Sequence, residues 1–163
     1  MKQVITLQNG SSLNEKQFVK YFEKKVLYTI RKFRLFENIK QRPQVQDLFR
    51  LNKINTCILS KECLDDMAIQ ILQAMMRTNG KKELKQLLPK YNSIIRPFYL
   101  ISREEMLLYS RIKRIGYKDS LSIDNKKLKL RSELNSFLDE LEKQQRNVKN
   151  SIVSSLLKIE NLI

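Results

Sequence analysis

The chain contains no histidine, two cysteines, three glycines and three prolines in 163 residues, and each scarcity excludes something. Without histidine, the commonest general acid or base is missing, so neither serine nor cysteine can recruit it. Cys57 and Cys63 lie six apart, which matches neither a CxxC metal or redox pair nor a dense disulfide framework. A reducing, cytoplasmic setting is therefore expected. The few glycines and prolines leave little room for tight turns or for a loop that cradles phosphate. No stretch reaches the roughly 18 consecutive apolar residues of a membrane-spanning helix, and the N-terminus has no apolar signal core. No membrane partner is expected.

What the chain has in excess is positive charge: 32 Lys and Arg oppose 17 Asp and Glu, a formal net charge of +15 at pH 7. With no histidine to titrate, that charge persists across the physiological range, and a polyanion is the natural partner. The plainer alternative is that the charge only keeps the protein soluble. An apolar content of 42% suffices for a core without metal or disulfide staples, so residues 1–163 are read as one domain. Abundant Lys, Leu, Ile, Gln and Glu favour a mainly α fold, a compact helical domain with at most one or two strands.

Local signals place the helices. Asn14 and Gln17 have capping-box spacing, and Leu13 and Phe18 have the spacing of a hydrophobic staple. Phe18, Phe22, Val26, Ile30 and Phe33 then share one face, while Lys16, Lys20, Lys24, Tyr28 and Lys32 recur on another. One face packs; the other either meets anions or is simply solvated. Val45 to Leu51 reads as a short helix with Phe49 inward. Ile54 to Leu59 is the one convincing strand, with Ile94 to Ile101 a second candidate that Pro97 pushes to an edge. A helix from Leu64 stops at Asn79-Gly80, with Met67, Met75 and Met76 as core filler. Ser102 with Glu105, and Ile101 with Met106, start a helix over 103–115 that Gly116 ends. Leu130, Leu134, Phe137, Leu138 and Leu141 form one stripe of a helix beginning near Asn125. Val148, Ile152, Val153, Leu156 and Leu157 mark a last helix, paired with it as a hairpin.

Several of these runs resemble a family. Leu64-Asp65-Asp66-Met67-Ala68, then Ile71-Leu72 and Met75-Met76-Arg77, is similar to the GHNLDDxAQxxLxNLLRG helix of tRNA 2-thiouridine-synthesising ATP pyrophosphatases. Ile95 through Ile101 (IRPFYLI) resembles that family's IRPLYLI segment, and Glu105 through Tyr109 its E-V-x-x-Y helix. Arg131 through Glu142 and Ser151 through Ile159 look like its C-terminal helices, and Phe18 through Lys32 like its N-terminal one. The pieces follow the family's order and span most of the chain.

The resemblance also implies losses. The family's SGGxDS loop, whose amides grip ATP phosphates, has no counterpart between Phe36 and Pro43, where a short connector replaces it and much of a parallel sheet. The Gly-His-Asn before the paired acids is here Lys61-Glu62-Cys63, which puts a carboxylate near the phosphates' place. Asn14 and Gln17 stand at the last pair of an N-terminal zinc site, Ser120-Leu121-Ser122 where a catalytic or cluster-binding cysteine is expected, and no terminal zinc ribbon precedes Ile163. For Asp65 and Asp66, magnesium binding competes with helix capping. For Cys63, a reactive thiol beside Lys61 competes with a small buried residue.

The expectation is a pseudoenzyme, without metal or cofactor, that binds structured RNA. Lys20, Lys24, Arg31, Arg34, Arg96, Arg103, Arg111, Lys113, Arg114, Lys126, Lys127 and Lys129 are candidate phosphate contacts, and Tyr28 and Tyr117 candidate stacking platforms. Phosphate contacts carry little sequence information, so charge alone does not separate tRNA from rRNA. Three roles remain open: an accessory in tRNA thiolation, a ribosome-associated protein, or a protein partner of a catalytic homologue. A residual enzyme would need that partner to supply its nucleotide site.

Overall fold

The computed structural model describes residues 5–7, 10–37, 39, 42–117 and 127–160. A small hairpin, β1 (Ile5–Thr6) and β2 (Ser12–Leu13), leads into helix α1 (Glu15–Lys32). Gly10 turns the hairpin at a φ of +83°, a conformation that costs glycine little. Asn14 caps α1 as its spacing predicts: the Gln17 amide donates to the Asn14 side chain at 3.0 Å, and the Asn14 amide donates back to Gln17 at 2.9 Å. α1 ends in a Schellman turn at Arg34, whose φ of +49° lets Leu35 N–H reach Ile30 O at 3.0 Å.

After α2 (Val45–Leu48), two strands, β3 (Lys53–Ile54) and β4 (Cys57–Leu59), form a hairpin. Helices α3 (Leu64–Met75) and α4 (Gly80–Gln86) then cross to a second hairpin, β5 (Lys90–Tyr91) and β6 (Ile94–Ile95). β4 and β6 pair in parallel, Ile58 opposite Ile94 and Leu59 opposite Ile95, giving a four-stranded sheet of order β3-β4-β6-β5. Helices α5 (Arg103–Ile112), α6 (Lys127–Gln144) and α7 (Val148–Glu160) complete the described elements.

The fold is helix-dominated α/β, which corrects the expectation of at most one or two strands. Each strand is two or three residues long, too short to show a period of two. The β3–β4 and β5–β6 turns use Asn55 and Asn92 at φ +52° and +50°, with no glycine to mark them.

Among the described residues, two apolar clusters fill the interior. The first gathers α1 and α5 around Phe18, Phe22, Phe49, Phe98 and Tyr109, with the Phe22 and Tyr109 rings stacked at 4.1 Å. Each such fully buried side chain stabilises the fold by roughly 1.5–3 kcal/mol. The second surrounds α3, where Leu64, Met67, Ala68 and Ile71 meet Leu138 of α6 and Val153 and Leu156 of α7. Phe33 touches both.

Other expectations shift. Met67 is core, but Met75 and Met76 are 64% and 71% exposed at the end of α3. Asn79-Gly80 does not end α3; it starts α4, where a Cβ on Gly80 would lie 2.3 Å from the Ala74 carbonyl oxygen. α5 ends before Gly116, in a second Schellman turn at Arg114 with φ +53°. The α6 stripe splits: Leu138 is buried, whereas Leu130 and Phe137 are exposed. The expected start near Asn125 lies outside the described residues.

Candidate functional site

The acidic pair sits at the start of α3 and is closed into the protein. Asp66, fully buried, takes the N3 place of a capping box: the Cys63 amide donates to its Oδ2 at 3.0 Å. Its Oδ1 accepts from Arg103 Nη2 at 2.9 Å and Arg131 Nη2 at 3.3 Å. Asp65 accepts the Arg103 backbone N–H at 2.8 Å and Lys149 Nζ at 2.6 Å. Lys149 also donates to Asp139 at 2.5 Å, Asn135 donates to Asp139 at 2.9 Å, and Arg103 Nη1 donates to Asn135 at 2.9 Å. The bonds form a closed circuit through α3, α5, α6 and α7. Burial pulls the Lys149 ammonium towards deprotonation, but the hydrogen bonds to Asp139 and Asp65 outweigh it, and its pKa is raised.

A second pair lies close by in sequence. Arg96 Nε donates to Glu62 at 2.8 Å and its Nη1 to the Leu88 carbonyl at 2.7 Å. Burial opposes the Glu62 charge, yet hydrogen bonds from Ser60 and Gln70 and the Arg96 guanidinium hold its pKa below the usual carboxylate value. The carboxylate expected to repel phosphate is therefore already neutralised by a neighbour.

The candidate phosphate contacts divide. Arg96 and Arg103 are buried and ion-paired, a correction to their reading as surface contacts: an interior carboxylate must be paired, and these arginines pair it. Lys20, Lys24, Arg31 and Arg34 are exposed on or just beyond α1, Arg111 and Arg114 at the end of α5, and Lys129 on α6. Lys113 is half-buried and reaches Glu23 of α1 at 3.5 Å, while Tyr109 donates to the same Glu23 at 2.8 Å. These links set the basic end of α5 beside the middle of α1. Tyr28 is exposed, with the Lys32 ammonium 5.6 Å from its ring centre. Tyr117, half-buried, packs edge-on against Phe49 at 5.8 Å. Lys126 and the Lys127 side chain lie outside the described residues.

Lys149, Asn135 and Asp139 escaped the sequence reading. A signal existed for Arg103: it follows the N-cap Ser102, and a cation in the first helical turn is unfavourable unless a carboxylate meets it. Lys149 carried no comparable signal, being 84 residues from Asp65.

The fold has a solved counterpart. The chain superposes on a U34-tRNA thiolase, NcsA from Methanococcus maripaludis with its 4Fe–4S cluster, with a TM-score of 0.70. The match covers 99% of this chain and 85% of that one at 17% identity, which shows a shared fold. No protein-family model and no curated protein matches the chain. The residues here do not fit such a cluster, which cysteine thiolates hold. Cys57 lies on β4, and Cys63 is buried with its Sγ 3.2 Å from Asp66 Oδ2. Burial, with Asp66 and Asp65 beside it, pushes the Cys63 thiol well above its ordinary pKa and disfavours the thiolate a metal would need.

Proposed function

We propose that the protein is a non-catalytic RNA-binding pseudoenzyme, with tRNA as its RNA and an accessory role in tRNA thiolation as the setting. The observation that carries this reading is the division of its cations. Arg103, Arg131 and Lys149 turn inwards to satisfy the acidic pair that would otherwise be available to magnesium. Lys20, Lys24, Arg31, Arg34, Arg111 and Arg114 remain exposed. Counter-ion release makes such a surface bind phosphate backbones. The fold shared with a tRNA thiolase favours tRNA over rRNA.

The test joins two measurements. Purified protein with ATP and bulk tRNA is expected to form no AMP above background. In a salt titration, tRNA affinity is expected to fall linearly in log–log form, with a slope of about −0.9 per phosphate contact. AMP formation overturns the non-catalytic half, and salt-independent or absent binding overturns the RNA half. A second reading, as protein partner of a catalytic homologue, is favoured by exposed Met75 and Met76 at the end of α3 and by Ile159 of α7.

A further inference from the structure

Leu27, Ile30 and Arg31 of α1, with Phe36, Arg42 and Pro43 beyond it, line a hollow of about 200 Å³. Ile30 and Phe36 are buried, while Leu27 is 42% exposed. Arg31 Nε donates to the Leu27 carbonyl at 3.3 Å, which holds the side chain back along α1 beside Leu27. Helical spacing puts Lys24, Tyr28 and Arg31 on one stripe at i, i+4 and i+7, so the hollow opens beside the basic row. The volume is below the roughly 300–1,000 Å³ of pockets for drug-sized molecules; it suits one planar ring system. An apolar lining with two arginines in it is complementary to a flat base attached to a phosphate on each side. A peptide side chain would find apolar contact there but no use for the paired cations.

We infer that this hollow receives one unpaired base of the bound RNA. The base lies on Leu27 and Ile30, Arg31 and Arg42 meet the flanking phosphates, and exposed Tyr28 stacks on the next base outside. The inference rests on the RNA-binding reading and sharpens it: the basic face holds a backbone, and the hollow requires that the strand be single where it crosses the end of α1. Duplex RNA, whose bases are stacked and paired, has no base to offer.

The experiment compares a blunt RNA duplex with the same stem closed by a single-stranded loop. Both are titrated against wild-type protein and a Leu27→Trp variant, which fills the hollow and removes no cation. Wild type is expected to prefer the looped RNA by about tenfold, within the range that one base stacked on protein supplies. Leu27→Trp should lose that preference while binding the duplex as wild type does, which also shows that it folds. Equal wild-type binding to the two RNAs, or a preference that survives Leu27→Trp, overturns the inference and leaves the RNA-binding reading standing. Failure of wild type to bind either RNA overturns both.

Discussion

Around Asp65 and Asp66, three cations face three carboxylates, Asp139 being the third, and the group sums to no net charge. Along α1 the same residue types stand in water on the face opposite Phe18, Phe22 and Val26. The knot therefore contributes nothing to the formal +15, and neither does the Arg96–Glu62 pair. The whole excess lies elsewhere. A count of basic residues measures attraction to polyanions only after the internally neutralised ones are removed.

The contrast breaks most sharply at Lys149. In Lys149→Met the buried Asp65 keeps its charge and loses its ammonium, so urea denaturation is expected to show a loss of about 3–5 kcal/mol. RNA affinity of the folded fraction should not change. A loss under about 1 kcal/mol would mean that the knot is incidental to the fold. The surface counterpart is Lys20→Glu, Lys24→Glu and Arg31→Glu combined. Its stability should stay within about 1 kcal/mol of wild type, because exposed charges contribute little to folding. Its log–log salt slope for tRNA should shrink by about 2–3 as three phosphate contacts vanish.

Acid and alkali sharpen the same comparison, because Glu62, Cys63 and Lys149 titrate differently in folded and unfolded chains. Glu62 has a lowered folded pKa, so its contribution is complete above the unfolded value of about 4.3 and is lost as the pH falls through the folded one. Cys63 and Lys149 are raised. Their contributions are complete below about pH 8.5 and 10.4 respectively, and fade above those values as the unfolded chain ionises first. With no histidine, thermal melts should give a plateau between about pH 5.5 and 8. Cys63→Ala should remove the earliest alkaline decline and leave the acid one. A step near pH 6.5 would contradict this account.

The smallest effects are expected at Arg34 and Arg114, which occupy left-handed positions where glycine is easier. Arg34→Gly and Arg114→Gly should each stabilise by up to about 1 kcal/mol, read as a small rise in melting temperature, while tRNA binding weakens. A gain in stability with unchanged affinity would detach these two arginines from the basic face.

Helices were legible in the sequence because their ends are written locally. The Ser102–Glu105 and Asn14–Gln17 boxes lie within one turn and form as spaced. The sheet was not, since strands of two or three residues carry no periodicity and their pairing joins Ile58 to Ile94 across two helices. At the site, the exposed α1 row followed from helical spacing alone. The fate of Arg96 and Arg103 did not, because burial depends on partners at Glu62 and Asp66, 34 and 37 residues away. An arginine inside the apolar run Ile94 to Ile101 was the available hint: in such company a charge is usually paired.

Asp65 is made early and Lys149 late. At ribosomal speeds of about 5–20 residues per second, the 84 residues between them take roughly 4 to 17 s to synthesise. Throughout that interval the start of α3 lacks the ammonium it is folded around, while the aromatic cluster of α1, α2 and α5 needs only residues up to about Tyr117. The two halves of the interior are thus expected to mature in order, the aromatic one first. Nascent chains stalled before α7 should resist protease across α1 and α5 and be cut within α3; protection of α3 before Lys149 emerges would reverse that order.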